Sequence, residues 1–134
     1  MNDILKLTVT ELSGKLASRE LSGAEITGAY LDRIAEKEPE IGAYLTVSAD
    51  EAMDNAKKID ERRAKGEELS PLAGIPVGIK DNMCTKGTRT TCASKMLENF
   101  IPPYDATVVE KLAAAGTVTL GKLNMDEFAM GSTT

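Results

Sequence analysis

The sequence predicts an α/β fold in which N-terminal helices are followed by the beginning of a mostly parallel β-sheet. In the first half, Ser or Thr residues stand three positions before a Glu, a pattern typical of helix starts. After residue 70, glycines, prolines and β-branched residues replace the regular helical spacing. The order strand, helix, strand in this second half favours parallel strands. We therefore divide the chain into a helical segment, 1–70, and the first part of an α/β core, 71–134, which together form one domain.

Three helices are predicted in the first segment, each begun by a capping box in which a Glu bonds back to the cap residue. The pairs are Thr8 with Glu11, Ser22 with Glu25, and Ser48 with Glu51. Helical spacing predicts the buried faces Leu12 and Leu16, then Ile26, Tyr30 and Ile34, then Ala52, Ala56 and Ile59. We expect Pro39 to end the second helix, a strand over 43–47, and the third helix to stop near Gly66.

The second segment begins with a predicted strand over 75–80. Its apolar residues alternate with others, as Ile75, Val77 and Ile79 against Pro76, Gly78 and Lys80. Asp105 is the predicted cap of the next helix, which Gly116 ends, and a β-branched strand follows over 117–120. A final turn of helix is predicted from a cap at Asn124 through Met130.

Composition and charge exclude several classes of function. The chain has 16 basic and 21 acidic side chains, a net charge of -5, which argues against a broad phosphate-binding surface. It has no histidine, so zinc sites of the usual spacing and His-dependent catalysis are excluded within it. Its apolar runs are shorter than a membrane helix and residues 1–15 lack signal-peptide features, so we expect a cytoplasmic protein. Cys84 and Cys92 are then expected to be a reduced, structural pair.

The stretch Gly116-Thr-Val-Thr-Leu-Gly121-Lys122 has the spacing of a phosphate-binding P-loop. Its chemistry does not fit, because Leu123 stands where a hydroxyl must bind magnesium. The four spacer residues are also typical of a strand rather than of a loop with exposed N–H groups. We therefore interpret Lys122 as a surface or strand-end lysine.

Lys80 is of more interest because it ends an apolar strand. Ile79, Val77 and the nearby glycines would remove water from its amine and favour the neutral form, which is a competent base for a serine hydroxyl. The spacing alone favours a different interpretation, a structural lysine that reaches the surface or pairs with Asp81. The residues by themselves leave both interpretations open.

Four stretches resemble the amidase-signature family, and in particular its tRNA-dependent branch. They are Gly74-Ile-Pro-Val-Gly-Ile-Lys80-Asp-Asn82, Lys86-Gly-Thr-Arg-Thr-Thr-Cys-Ala-Ser94, Tyr104-Asp-Ala-Thr-Val-Val109 and Gly121-Lys-Leu-Asn-Met-Asp-Glu-Phe-Ala-Met-Gly-Ser132. Their order and spacing both match, and the likeness covers essentially the whole chain. The resemblance implies that the predicted sheet is the first, incomplete part of the amidase-signature fold.

The resemblance also implies a Ser-cis-Ser-Lys triad in which a serine attacks the side-chain amide of glutamine and releases ammonia. Lys80 matches the family's catalytic lysine, which holds the bridging serine in a proton relay. Met130, Gly131 and Ser132 match positions that line the substrate pocket next to the oxyanion region. For Met130, packing in the core is the alternative role.

The implied partners are glutamine as substrate, two further subunits named B and C, and a tRNA bound mainly by a partner subunit. The ammonia is used to amidate the misacylated tRNA. ATP and magnesium are implied for the assembled complex, whereas no cofactor or metal is expected in this chain and no membrane is expected as a partner.

The chain departs from the family in one respect. The family's two serines lie on a Gly/Ser-rich segment downstream of Gly131-Ser132, and no Gly-Gly-Ser-Ser-Gly-Gly pattern occurs here. No serine of this chain can therefore be assigned as the nucleophile, and we expect the isolated chain to be inactive. Thr90, Thr91 and Ser94 are interpreted as turn and cap residues.

Two other functions stay open. One is a stand-alone amidase of the same family that acts on small amides. The other is a non-catalytic interaction module, because an open sheet edge and an uncovered apolar face would favour self-association.

Overall fold

The computed structural model describes residues 3–132 and has the predicted α/β architecture. The helices are α1 (Val9–Ala17), α2 (Gly23–Ile41), α3 (Ala49–Ala64) and α4 (Thr107–Ala114). The strands are β1 (Tyr44–Val47), β2 (Pro76–Lys80) and β3 (Val118–Leu123). Short 3-10 turns occur at Asp3–Lys6, Lys95–Leu97 and Glu127–Ala129. Residues 1, 2, 133 and 134, which complete the two predicted segments, lie outside the described residues.

The strands form one mixed sheet in the order β1-β3-β2. β2 and β3 are parallel, as the order strand, helix, strand predicted. β1 is antiparallel to β3, so strands from both 1–70 and 71–134 contribute to the sheet. Both ladders are irregular within 119–123 of β3: the β1 ladder shifts between Tyr44 and Thr46, and the β2 ladder shifts between Val77 and Gly78.

Two of the three predicted capping boxes are confirmed. Both hydrogen bonds of the box are present at Thr8 with Glu11 and at Ser22 with Glu25. The third is wrong, because the side chain of Ser48 makes no cap hydrogen bond to α3. The Ser48 N–H instead donates to the Leu120 carbonyl at 2.9 Å, which keeps this residue in the sheet and out of the usual cap geometry.

Two other predicted helix boundaries are wrong. α2 does not end at Pro39, because a proline in the last turn removes only one backbone bond; it continues to Ile41 and ends at Gly42, whose φ is 65°. Asp105 does not cap α4. Its carboxylate accepts a hydrogen bond from the Lys86 N–H at 2.6 Å, and Ala106 occupies the cap position.

The core consists of two groups of buried side chains. The first joins α1 and α2 to the start of β2 and contains Leu12, Leu16, Ile26 and Ile75. The second joins α3 to β3 and contains Ala52, Ala56, Val118 and Leu120. Leu12, Leu16, Ile26, Ala52 and Ala56 of the predicted helical faces belong to these groups, and Ile59 is buried as well. Tyr30 and Ile34 are only partly buried and pack against the groups. Across residues 3–132, no helix combines the length and the apolarity that crossing a bilayer requires.

Candidate active site

The parallel pairing of β2 and β3 brings two loops to the same edge of the sheet. Lys80 and Leu123, the last residues of the two strands, are partners in the register. The loop after β2, 81–94, and the segment after β3, 124–132, therefore leave the sheet together. Lys80 lies directly before the first of these segments, and Met130, Gly131 and Ser132 lie at the end of the second.

Lys80 has an exposed side chain. Its neighbours Ile79 and Asp81 are 2% and 1% exposed, so they occupy the opposite side of the strand, as alternation requires. The predicted removal of water from Lys80 by Ile79 is therefore not found in the described residues. The predicted pairing of Lys80 with Asp81 is also wrong, because Asp81 lies next to a different lysine.

That lysine is Lys122, which the sequence placed at the surface or a strand end. The structure corrects this prediction, since Lys122 is 0% exposed. Its ammonium donates hydrogen bonds to the Met83 carbonyl at 2.5 Å, to Thr85 Oγ1 at 2.8 Å and to Thr90 Oγ1 at 3.0 Å. A lysine ammonium has three N–H donors, so all of them are used.

Asp81 supplies the negative charge beside Lys122. Its Oδ1 lies 3.8 Å from Lys122 Nζ and has no hydrogen-bond partner among the described residues. Its Oδ2 accepts hydrogen bonds from the Thr91 N–H at 2.9 Å and the Thr91 hydroxyl at 2.6 Å. Burial lowers the pKa of Lys122 from its ordinary value, and the Asp81 carboxylate works in the opposite direction. We assign the charged form to Lys122, because three acceptors surround it.

We call this group, Lys122 with Asp81, Thr85, Thr90 and Thr91, the Lys122 cluster. The sequence analysis missed it, and alternation along β3 does not predict this cluster. Val118 pairs with Pro76, but the register shifts before Gly121, so Lys122 pairs with Ile79 and lies on the buried side of β2 together with Asp81. The role predicted for Thr90 and Thr91, turn residues in the loop after β2, understates them, because their hydroxyls hold the buried charges.

Hydrogen bonds join the loop after β2 to the segment after β3. The Phe128 N–H donates to the Cys92 carbonyl at 3.0 Å, and the Ser94 hydroxyl donates to Glu127 Oε1 at 2.6 Å. Ser94 also accepts from the Met96 N–H, which is the cap role predicted for it. Cys92 and Phe128 have φ values of 50° and 51°, an uncommon conformation for residues other than glycine. Such backbone strain is often found at functional sites.

Met130, Gly131 and Ser132 follow this contact and are all exposed. Met130 is 77% exposed, so the alternative that it packs in the core is not found in the described part of the chain. Asn124 does not act as the predicted cap; its side chain accepts from the Met125 N–H and donates to the Gly42 carbonyl. Asp126 occupies the cap position of the Glu127–Ala129 turn.

An open cavity of about 220 Å³ adjoins the contact between the two segments. Arg89, Ser94 and Asn124 are among its lining residues, whereas Lys80 is not. Cys84 and Cys92 in the same loop are free, half-buried thiols. Burial raises the pKa of the Cys92 thiol, and the nearby Asp81 carboxylate raises it further.

Comparison with curated proteins finds close relatives along nearly the whole chain. It is 58% identical over 126 residues to the A subunit of the glutamyl-tRNA(Gln) amidotransferase of Thermosynechococcus vestitus, a match that covers 94% of this chain. It is 54% identical over 132 residues to the corresponding protein of Moorella thermoacetica, which bears the same name, and that match covers 98% of this chain. The chain spans only 26% and 27% of the length of these two relatives.

Solved structures show the same fold. The peptide amidase of Stenotrophomonas maltophilia matches with a TM-score of 0.84 and 36% identity over 90% of this chain and 25% of its own. A fatty acid amide hydrolase matches with a TM-score of 0.89 over 98% of this chain and 24% of its own, and at 24% identity this likeness shows the fold alone. The family model described as Amidase matches residues 25–134. The chain therefore belongs to the amidase family.

Proposed function

We propose that this chain is part of the A subunit of a glutamyl-tRNA(Gln) amidotransferase, which releases ammonia from glutamine for the conversion of Glu-tRNA(Gln) to Gln-tRNA(Gln). The observation that carries the proposal is the 54% to 58% identity to proteins of that name over nearly all of this chain. The proposal concerns the whole protein, because the chain spans about a quarter of those relatives.

In this proposal Lys80 is the catalytic lysine of a Ser-cis-Ser-Lys triad. A neutral amine accepts the proton of the bridging serine, which in turn accepts the proton of the attacking serine as the carbon–oxygen bond to glutamine forms. The relay returns this proton to the amide nitrogen, ammonia leaves as the carbon–nitrogen bond breaks, and water then hydrolyses the acyl-enzyme. Both serines would come from outside these 134 residues, and the same part of the protein would cover the exposed side chain of Lys80.

Met130, Gly131 and Ser132 are proposed to line the glutamine pocket, largely through backbone groups. Support comes from the shared sheet edge, since the loop after β2 and the segment after β3 are held together by the bonds of Cys92 and Ser94. Exposure of all three residues leaves them free to contact a substrate.

The proposed partners are the B and C subunits, together with a tRNA bound mainly by a partner subunit. ATP and magnesium are used by the assembled complex in this proposal, and no cofactor is assigned to this chain. The free thiols of Cys84 and Cys92 support a cytoplasmic location, because such compartments keep thiols reduced. The isolated chain is proposed to be inactive, and the exposed Met96 and Met130 favour its self-association.

A transfer assay tests this function. The full-length protein with the B and C subunits is given glutamine and Glu-tRNA(Gln), and both free ammonia and Gln-tRNA(Gln) are measured. Lys80→Ala should lower both by at least about 10³-fold, the scale of losing a member of a catalytic triad. Lys57→Ala, which removes an exposed lysine of α3, is the control and should leave both rates unchanged.

Two results would contradict the proposal. If Lys80→Ala released ammonia at the wild-type rate, the triad assignment would be wrong. If the wild-type protein hydrolysed small amides but never formed Gln-tRNA(Gln), it would be a stand-alone amidase, the alternative that the 36% identity to a peptide amidase favours.

A further inference from the structure

The Lys122 cluster places two buried charges next to the end of β2, on the side of the sheet opposite the Lys80 side chain. Lys122 and Asp81 are 0% and 1% exposed, and a buried ion pair is more often neutral or costly than stabilising when compared with apolar residues of the same size. An apolar core would therefore hold the two strands at least as well. The cluster calls for a role other than stability.

We propose that the Lys122 cluster is a positioning device that fixes the backbone around Lys80, an inference that rests on the role proposed for Lys80 above. One ammonium group on β3 binds three points of the loop after β2, at Met83, Thr85 and Thr90. Hydrogen bonds depend on direction, whereas apolar contacts do not. Three hydrogen bonds from the Lys122 ammonium therefore fix the position of the first part of the loop after β2 relative to β3.

The backbone on both sides of the Lys80–Asp81 peptide is held in the same way. The Asp81 N–H donates to the Leu123 carbonyl at 3.0 Å, and the Cys92 N–H donates to the Asp81 carbonyl at 2.9 Å. The Lys80 carbonyl accepts from the Met83 N–H at 3.0 Å. Every hydrogen-bonding group of this peptide and the next carbonyl is thus paired, so a change in the cluster would move the base of the Lys80 side chain.

Lys122 itself does not reach a substrate in this arrangement. Its three donors are used and its side chain has no exposed surface, while Lys80 projects from the other side of the sheet. Lys122 and Asp81 are therefore positioning residues, and their effect on the reaction passes through the placement of the Lys80 amine.

The test compares three variants in the full-length protein assembled with its partner subunits. Lys122→Met leaves Asp81 as an unpaired buried charge, so it should lower both the melting temperature and kcat for glutamine hydrolysis. The double variant Asp81→Asn with Lys122→Met removes both charges and should regain most of the melting temperature. We expect its kcat to stay lower by on the order of 10²-fold with KM little changed, the scale of a misplaced catalytic group.

Thr90→Val gives a mild version that keeps the shape of the side chain and removes one acceptor of Lys122. This variant should fold as the wild type does and should lower kcat several-fold. Its kcat therefore tests the positioning role even if the larger changes prevent folding. Lys58→Met, which removes an exposed lysine of α3, is the control and should leave kcat unchanged.

Lys80→Ala is measured in parallel to separate the two proposals. If Lys80→Ala is inactive but Thr90→Val and the double variant keep the wild-type kcat, the positioning role is overturned and the proposed function stands. If Lys80→Ala keeps its activity, the proposed function fails, and the positioning role fails with it.

Discussion

Gly121 has less room for a side chain than any other glycine among the described residues. It lies in the central strand β3, where the ladders to β1 and β2 are both irregular. A Cβ added at this position would lie 2.1 Å from the Thr46 carbonyl oxygen and 3.0 Å from Val47 Cα. Its φ of 156° is one that residues with side chains rarely adopt. Gly121→Ala therefore forces β1 and β3 apart.

The cost follows from the contacts between the two strands. Carbon and oxygen atoms need more than about 3 Å, so β1 must move by roughly 1 Å. The bonds from the Ser48 N–H to Leu120 and from the Asn124 N–H to Ala43, now 2.9 and 2.7 Å, would lengthen beyond hydrogen-bonding range. Two lost bonds at about 1 kcal/mol each and backbone strain of about 1–3 kcal/mol give a destabilisation of about 3–5 kcal/mol.

Urea denaturation followed by circular dichroism measures this loss. A domain of this size is stable by about 5–15 kcal/mol, so the midpoint should fall by a large fraction of its value. Gly14→Ala is the matched control, because no atom lies within 4 Å of its added Cβ and the residue is inside α1. It should raise stability by about 0.5–1 kcal/mol. An unchanged midpoint for Gly121→Ala would refute the close approach of β1 to β3.

Two further predictions concern helix starts. The Asp60 carboxylate accepts hydrogen bonds from the Gly23 and Ala24 N–H groups at 2.7 and 3.0 Å, so Asp60→Ala should destabilise the chain by about 1–2 kcal/mol in thermal unfolding, while Asp54→Ala on the exposed face of α3 should not. Hydrogen bonds from Thr8 and Ser22, first from their backbone N–H groups, hold the pKa values of Glu11 and Glu25 below the usual 4.5. Because the folded pKa is the lower one, this stabilisation is complete above pH 4.5 and is lost as the pH falls through the folded pKa. The free energy of unfolding of the double variant Glu11→Gln with Glu25→Gln should therefore fall less steeply than the wild type's as the pH is lowered. Unfolding midpoints that fall with pH as steeply as the wild type's would contradict this.

The helices show which parts of the fold follow from local sequence. A capping box needs only residues three positions apart, and two of the three predicted boxes form. Ser48 and Asp105 have the same chemistry and do not cap, because the Ser48 backbone is held in the sheet by its N–H bond to Leu120, and the Asp105 carboxylate accepts from Lys86. A residue's tendency to cap is a local property, but the competition for its hydrogen bonds is not.

The two strand lysines show the same limit at the site. The sequence by itself determined the family likeness through the stretch Gly74–Asn82, and it predicted β2 from alternation and the first part of β3 from β-branched residues. It could not determine which lysine loses water, since both Lys80 and Lys122 lie among apolar neighbours. Only the tertiary structure decided that, because the loop 81–94 folds over the side of the sheet that carries Lys122 and supplies acceptors there, while the side that carries Lys80 stays exposed.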